Sequence, residues 1–130
     1  MKGFFERISE RQQSINSLLC VGLDPHLADL SAPEPEAAEA FCGCIIDATR
    51  EIALAYKPNS AFFERFGPAG LEVLIKVTAL IPEDIPIILD VKRGDISSTA
   101  EAYAAAAFEV FGADAVTVNP YLGRDAVLPF

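Results

Sequence analysis

Four short runs rich in Val, Ile and Leu, separated by longer stretches with helical spacing, restrict this chain more than any other feature. The runs fall at residues 18–23, around 55–63, at 85–91 and at 115–118. Between them Phe41, Ile45, Ala48, Ile52 and Ala55 recur at alternating four- and three-residue intervals, which is one face of a helix. Leu71, Leu74, Ile75 and Thr78 predict a second such face, with Pro68 placed near its start. Ser98-x-x-Glu101 predicts a capping box ahead of an alanine-rich helix whose inner face is Tyr103, Ala107 and Val110, stopped by Gly112. An opening helix over Phe4, Phe5, Ile8, Gln12 and Ile15 carries a stripe, apolar except at Gln12, expected to lid one end of a core. Residues 28–35, with two prolines, Pro33 and Pro35, and two acidic residues, read as a loop leading into a helix. The order is helix, then strand–helix three times, then a fourth strand. Strands that are apolar throughout and alternate with helices predict a parallel sheet buried on both faces.

Two architectures use such a sheet. The doubly wound nucleotide folds carry a glycine-rich phosphate loop after the first strand. Here the first run continues as Gly22-Leu23-Asp24-Pro25-His26, and no such loop occurs anywhere. The α/β reading favoured is therefore the (β/α)8 TIM barrel. A whole barrel needs about 250 residues, so residues 1–130 read as a single unit, the first four β/α units or N-terminal half-barrel. Such a half leaves two sheet edges and an apolar lumen uncovered, which invites association.

Composition narrows the function classes. The net charge of −9 disfavours nucleic acid as a partner, because a phosphate backbone would be repelled. No apolar run approaches the roughly 18 residues that span a bilayer, so no membrane partner is expected. The start, Met1 to Arg7, turns charged before a signal-peptide apolar region forms. Three cysteines, an odd number, point to reduced thiols and a cytoplasmic protein. With His26 they could in principle make four zinc ligands, but Cys42 and Cys44 fall inside a helical segment, and Cys44 reads as a small core residue.

Polar residues gather where the strands end: Asp24 after the first, Lys57 and Asn59 on the second, Asp90, Lys92 and Asp95 on the third, Asn119 on the fourth. The C-terminal ends of parallel strands are where α/β proteins build their sites. Asp90 and Lys92 are two residues apart and so share one face of a strand. Burying such charges costs several kcal/mol per ion without partners, and Lys57 and Asp95 are placed to supply them. A purely structural ion-pair cluster followed by a turn at Arg93-Gly94-Asp95 fits the spacing as well.

The stretch Asp90-Val91-Lys92-Arg93-Gly94-Asp95-Ile96 resembles the D-x-K-x-x-D-I signature of the orotidine 5′-phosphate decarboxylases. Val21 to Pro25, Tyr56-Lys57-Pro58-Asn59 and Thr117 to Asp125 are similar to flanking motifs of that family's second, largely bacterial subgroup. The resemblance runs from about Leu18 to Phe130. It implies decarboxylation of orotidine monophosphate (OMP) to uridine monophosphate (UMP) and CO2, the last step of pyrimidine nucleotide synthesis, with no metal and no organic cofactor. It makes Lys92, Asp90, Lys57 and Asp95 the catalytic set. Lys92 would protonate the carbanion left at pyrimidine C6, Asp90 would lie near the departing carboxylate, and Lys57 would hold Asp90 and the ribose hydroxyls in register. Carboxylates around Lys92 favour its charged form, which suits an acid and not a Schiff-base nucleophile. Asp95, with Ile96 and Thr99, would reach the neighbouring subunit's site, implying a homodimer with shared sites. Asp24 would accept from a ribose hydroxyl, or simply form an Asp-Pro turn. Asn119 would touch ligand or line the barrel floor. Hexulose-phosphate synthases and keto-gulonate-phosphate decarboxylases resemble the same motif but bind Mg²⁺ with an acidic residue near the position of Lys57, where a lysine repels the ion. The family's phosphate-gripping arginine and closing loop fall outside these 130 residues, so this chain alone is expected to be a poor enzyme. The second reading is a non-catalytic half-barrel that acts only by pairing with another copy or a complementary half.

Overall fold

A computed structural model describes residues 3–130, so Met1 and Lys2 of the charged opening segment lie outside it. The elements are α1 (Phe4–Ile15), β1 (Leu19–Leu23), α2 (Pro35–Thr49), β2 (Ala53–Pro58), α3 (Ala61–Glu64), α4 (Pro68–Leu80), β3 (Ile88–Arg93), α5 (Ser97–Ala105) and β4 (Ala115–Val118). Pro35 and Pro68 stand in the first turns of α2 and α4, where a missing N–H costs nothing and the fixed φ suits the helix. A π-helical turn, Ala106–Val110, extends α5 until Gly112 ends it at φ 65°. Gly112 is thus the stop that the sequence implies.

β1 pairs in parallel with β2, and β3 with β4. Isolated parallel bridges from Tyr56 to Ile87 and from Asn59 to Asp90 join β2 to β3. The spatial order is therefore β1-β2-β3-β4, each strand beside its successor, as in one side of a barrel.

The core lies between this sheet and the helices outside it. Leu23, Tyr56 and Leu89 from the strands meet Cys42 and Ile46 of α2, Phe63 of α3, and Leu74 and Val77 of α4. The Tyr56 hydroxyl satisfies itself there, 2.8 Å from Thr49 Oγ1 and donating to the Ile46 carbonyl at 3.1 Å. Strand alternation then turns Gly22, Lys57 and Asp90 to the opposite, lumen face. Leu74 is fully buried in this layer. Leu74→Ala is expected to cost about 2–5 kcal/mol, read as a lower urea midpoint with an unchanged slope.

The helices bury faces displaced from the predicted ones. α2 buries Ala38, Cys42 and Ile46, while Phe41 and Ile45 are half-buried. α2 ends at Thr49, leaving Ile52 exposed and Ala55 within β2. The predicted core thiol is also corrected: Cys44 is exposed and Cys42 is buried. Burial, with the Asp24 charge adding to it, pushes the Cys42 thiol up to about 12, so it stays protonated and inert. On α4 the buried residues are Gly70, Val73, Leu74, Val77 and Thr78, and Leu71 and Ile75 are partly exposed. α5 starts at Ser97 after an N-cap at Ile96 with no side-chain cap, so the Ser98 box does not form. Thr99 and Ala100 N–H groups already reach the Ile96 carbonyl, which begins the helix upstream of that serine's capping position. Its buried face is Ala100 and Ala104, continued by Ala107, and Tyr103 and Val110 turn outward. Small side chains let this helix lie close to the sheet.

α1 does close one end of the sheet, but through arginines rather than its apolar stripe. Arg7 pairs with Asp114 and donates to the Glu83 carbonyl. Arg11 pairs with Asp84 and donates to the carbonyls of Ala53 and Arg50. These acceptors all stand at or just before the starts of β2, β3 and β4, so α1 is fastened to the N-terminal rim. No residue of α1 is fully buried. No helix among the described residues is long and apolar enough to cross a membrane.

Candidate active site at the C-terminal strand ends

β3 runs regularly beside β4 until its charged residues begin. Leu89 pairs with Val116 and Arg93 with Val118, so four steps along β3 match two along β4. The surplus residues form a bulge over 90–92, in which Lys92 takes a left-handed φ of 47°. Such a conformation costs a non-glycine residue about 1–2 kcal/mol, and bulges of this kind re-aim side chains beside sites. Gly94 follows because nothing larger fits: a Cβ there would stand 2.5 Å from the Asn119 carbonyl oxygen.

The bulge brings three charged side chains together on the lumen face. Lys57 Nζ lies 3.1 Å from Asp90 Oδ2, and Lys92 Nζ lies 2.6 Å from Asp90 Oδ1. Thr117 of β4 adds its hydroxyl to Oδ1 at 2.7 Å. Asp90 is 7% exposed. Burial alone would raise its carboxyl, but hydrogen bonds from Lys92, Thr117 and Lys57, with the charge of Lys57, outweigh burial and hold it down at about 2. The carboxylate is therefore permanently ionised at neutral pH, and the triad carries a net charge of +1. Each ammonium has three donors and spends one on Asp90. The Lys92 side chain is 68% exposed, so its remaining protons face the open lumen.

The other candidates divide. Asp24 follows β1 on this same face, and its Oδ1 is buried with no hydrogen-bond partner among the described residues. Asp95 does not join the ion cluster as the spacing suggested: among the described residues it pairs with neither lysine, and its carboxylate accepts from the Ile96 N–H at 2.7 Å. A turn has intervened, and the side chain folds back on its own backbone. Ile96 is exposed, and Thr99 is half-buried in the first turn of α5. Asn119 sits exposed after β4, where its Oδ1 accepts from Tyr121 N–H at 3.1 Å and closes a turn. Asn59 does likewise for Ala61. His26 packs edge-on against Phe62 with ring centres 4.3 Å apart.

Sequence reasoning missed Thr117 as a site residue. Its one signal is that it is the sole polar side chain in the apolar run 115–118. Arg93, next along β3, stays out of the cluster, pairing with Glu64 at 2.9 Å and lying over the Tyr103 ring.

The model of the orotidine 5′-phosphate decarboxylase / HUMPS family matches residues 17–130. An orotidine 5′-phosphate decarboxylase of Roseiflexus sp. (strain RS-1) is 55% identical over 130 residues, covering 98% of this chain and 47% of the relative. A crystal structure from Toxoplasma gondii, provisionally named an orotidine-monophosphate decarboxylase, is 58% identical with a TM-score of 0.97, covering 99% of this chain and 44% of that one. The Leishmania donovani OMP decarboxylase is 47% identical with a TM-score of 0.91, covering 99% and 49% respectively. These solved relatives are TIM barrels, and the parallel α/β layers of this chain superpose on about half of each. The chain spans about half the length of the curated relatives it matches. Motifs, strand order and these likenesses agree: the chain belongs to the orotidine 5′-phosphate decarboxylase / HUMPS family.

Proposed function

We propose that this chain carries the N-terminal half of a site that decarboxylates OMP to UMP without metal or organic cofactor. The observation that carries the reading is the buried carboxylate of Asp90, gripped by Lys57 and Lys92 at the C-terminal strand ends. In the reaction the bond from C6 to the carboxylate breaks, CO2 leaves, and the electron pair stays on C6. Lys92 supplies the proton that forms the new C6–H bond, and its positive charge stabilises the carbanion as it develops. Asp90 stays ionised and near the departing carboxylate, and Lys57 holds it there. Asp24, a buried acceptor lacking a donor, takes a ribose hydroxyl. Asp95, Ile96 and Thr99 lie clear of this chain's own triad, in keeping with a homodimer in which they serve the partner's site. On this reading the protein works in the cytoplasm, in keeping with its three free thiols.

The Mg²⁺-dependent relatives fit less well, because an ion would have to share Asp90 with two ammoniums. The non-catalytic half-barrel is favoured by two features, the open lumen face and the outer strands β1 and β4, each paired on one side only among the described residues. The test mixes the 130-residue chain with the C-terminal half-barrel of the Roseiflexus relative and measures CO2 release from OMP, beside each half alone. Turnover confined to the mixture is expected. A mixture that associates but leaves OMP intact supports the non-catalytic reading. Full-length rates from the short chain alone would overturn the view that phosphate binding is contributed from elsewhere.

A further inference from the structure

The Thr117 hydroxyl makes three hydrogen bonds, and the three exhaust its capacity. It accepts from Val91 N–H at 3.1 Å and from Lys92 N–H at 3.0 Å. It donates to Asp90 Oδ1 at 2.7 Å. A hydroxyl has one proton and two lone pairs. With both lone pairs held by backbone N–H groups, the proton is left pointing at Asp90. The two N–H groups are those of the β3 bulge, where regular pairing with β4 has lapsed between Leu89 and Arg93. Both reach the Thr117 hydroxyl where Lys92 holds its left-handed φ of 47°. Asp90 Oδ1 also receives Lys92 Nζ at 2.6 Å. One side chain therefore ties together the backbone of Lys92, its ammonium and the carboxylate it pairs with.

We infer that Thr117 is a positioning residue, whose hydroxyl locks the β3 bulge so that the Lys92 ammonium is presented at a fixed height above Asp90. The inference rests on the decarboxylase reading, and it concerns a residue that touches no reacting atom. Its role is to keep the acid aligned, and a misplacement near 1 Å at a reacting group costs on the order of 100-fold in rate. The low carboxyl of Asp90 is in keeping with the same donor, since losing it would let the carboxyl rise toward its usual range.

The test uses this chain completed with the C-terminal half-barrel of the Roseiflexus relative, as Thr117→Val, Thr117→Ser and the unchanged protein. Thr117→Val keeps the shape and removes the hydroxyl. It is expected to lower kcat by about 100-fold while KM for OMP changes by less than about three-fold, because the ligand contacts remain. Thr117→Ser keeps the hydroxyl and should restore kcat to within about three-fold of the unchanged protein. Hydrogen exchange at the Val91 and Lys92 amides is read alongside, and Thr117→Val should speed both at least ten-fold with Leu89 and Val116 unmoved. A valine variant with full kcat, or a serine variant as slow as valine, overturns the inference. If Thr117→Val fails to fold, Thr117→Cys, a weaker hydrogen bonder of similar size, must show the same kcat loss or the inference falls. If the unchanged protein does not turn OMP over, the decarboxylase reading fails by itself. The exchange data then judge the lock alone, and unaltered amides in the valine variant would sink it.

Discussion

Lys92→Ala in the complete barrel is expected to abolish OMP turnover, with kcat at least about 10⁴-fold lower and the fold intact. Two contributions vanish together. Donation of a proton by a placed acid contributes about 10²–10⁴-fold, and a charge aimed at the developing carbanion contributes on the order of 10²–10³-fold. The structural consequence is small by contrast. The Lys92 side chain is largely exposed, and Asp90 keeps its contacts with Lys57 and Thr117 after the ammonium is gone. Stability should therefore shift by no more than about 1 kcal/mol. Lys92→Arg sharpens the point, since it keeps the charge but offers a guanidinium that does not give up its proton. It should be nearly as slow as alanine. Circular dichroism and urea midpoints, taken beside the rate, separate lost chemistry from lost structure; turnover retained in Lys92→Ala would remove that side chain from the role of acid.

Asp90→Asn is expected to lower both activity and stability, which distinguishes it from the lysine variant. Asp90 is buried and accepts from three side chains, so neutralising it leaves Lys57 and Lys92 facing an amide that also carries donors. Breaking a buried pair costs about 3–5 kcal/mol, and here the lysines are partly exposed, so about 2–3 kcal/mol is the fitting scale. The effect has a pH signature. The folded carboxyl lies at about 2, below its ordinary value of 3.8. A depressed carboxyl contributes stability that is present above the unfolded value and is lost as pH falls through the folded one. That contribution is about 2 kcal/mol. The stability gap between the unchanged protein and Asp90→Asn should thus be constant from pH 7 to about 5, and narrow as pH falls from about 4 toward 2. Urea titrations at several pH values read it directly, and a gap that widened on acidification would contradict the assigned direction.

How much of this was legible beforehand depended on which force fixed each feature. β1 and β4 stand within a residue of the predicted runs, because both are apolar along nearly their whole length, yet the expected burial on both faces is not met: β1 buries only Leu23 and β4 buries no residue fully. β3 was placed too early: it spans Ile88–Arg93, and the apolar run 85–91 stops short because the strand's last residues are the site itself. Hydropathy cannot mark a strand end that faces a polar lumen. Helix faces were legible only to within about one residue of rotation, since each helix lies along the sheet with apolar residues on both flanks of its seam. Cys42 and Cys44 exchanged roles for this reason. α1 was found as a helix, yet Arg7 and Arg11 hold it, and arginine-to-carbonyl contacts leave no periodic trace. Lys57, Asp90 and Lys92 were legible as a group because three charges at strand ends need one another. Thr117 and the left-handed turn at Lys92 were not, since a bulge appears only when two strands are laid side by side.

The central claim is that the Lys57, Asp90 and Lys92 side chains form the floor of the OMP site, with the ammonium of Lys92 directed at C6. A crystal structure of the completed barrel with UMP bound tests it most directly. The account predicts the pyrimidine on the lumen face, with Lys92 Nζ about 3 Å from C6 and a ribose hydroxyl on Asp24. UMP seated elsewhere, or bound with Lys92 turned away from the ring, would contradict it.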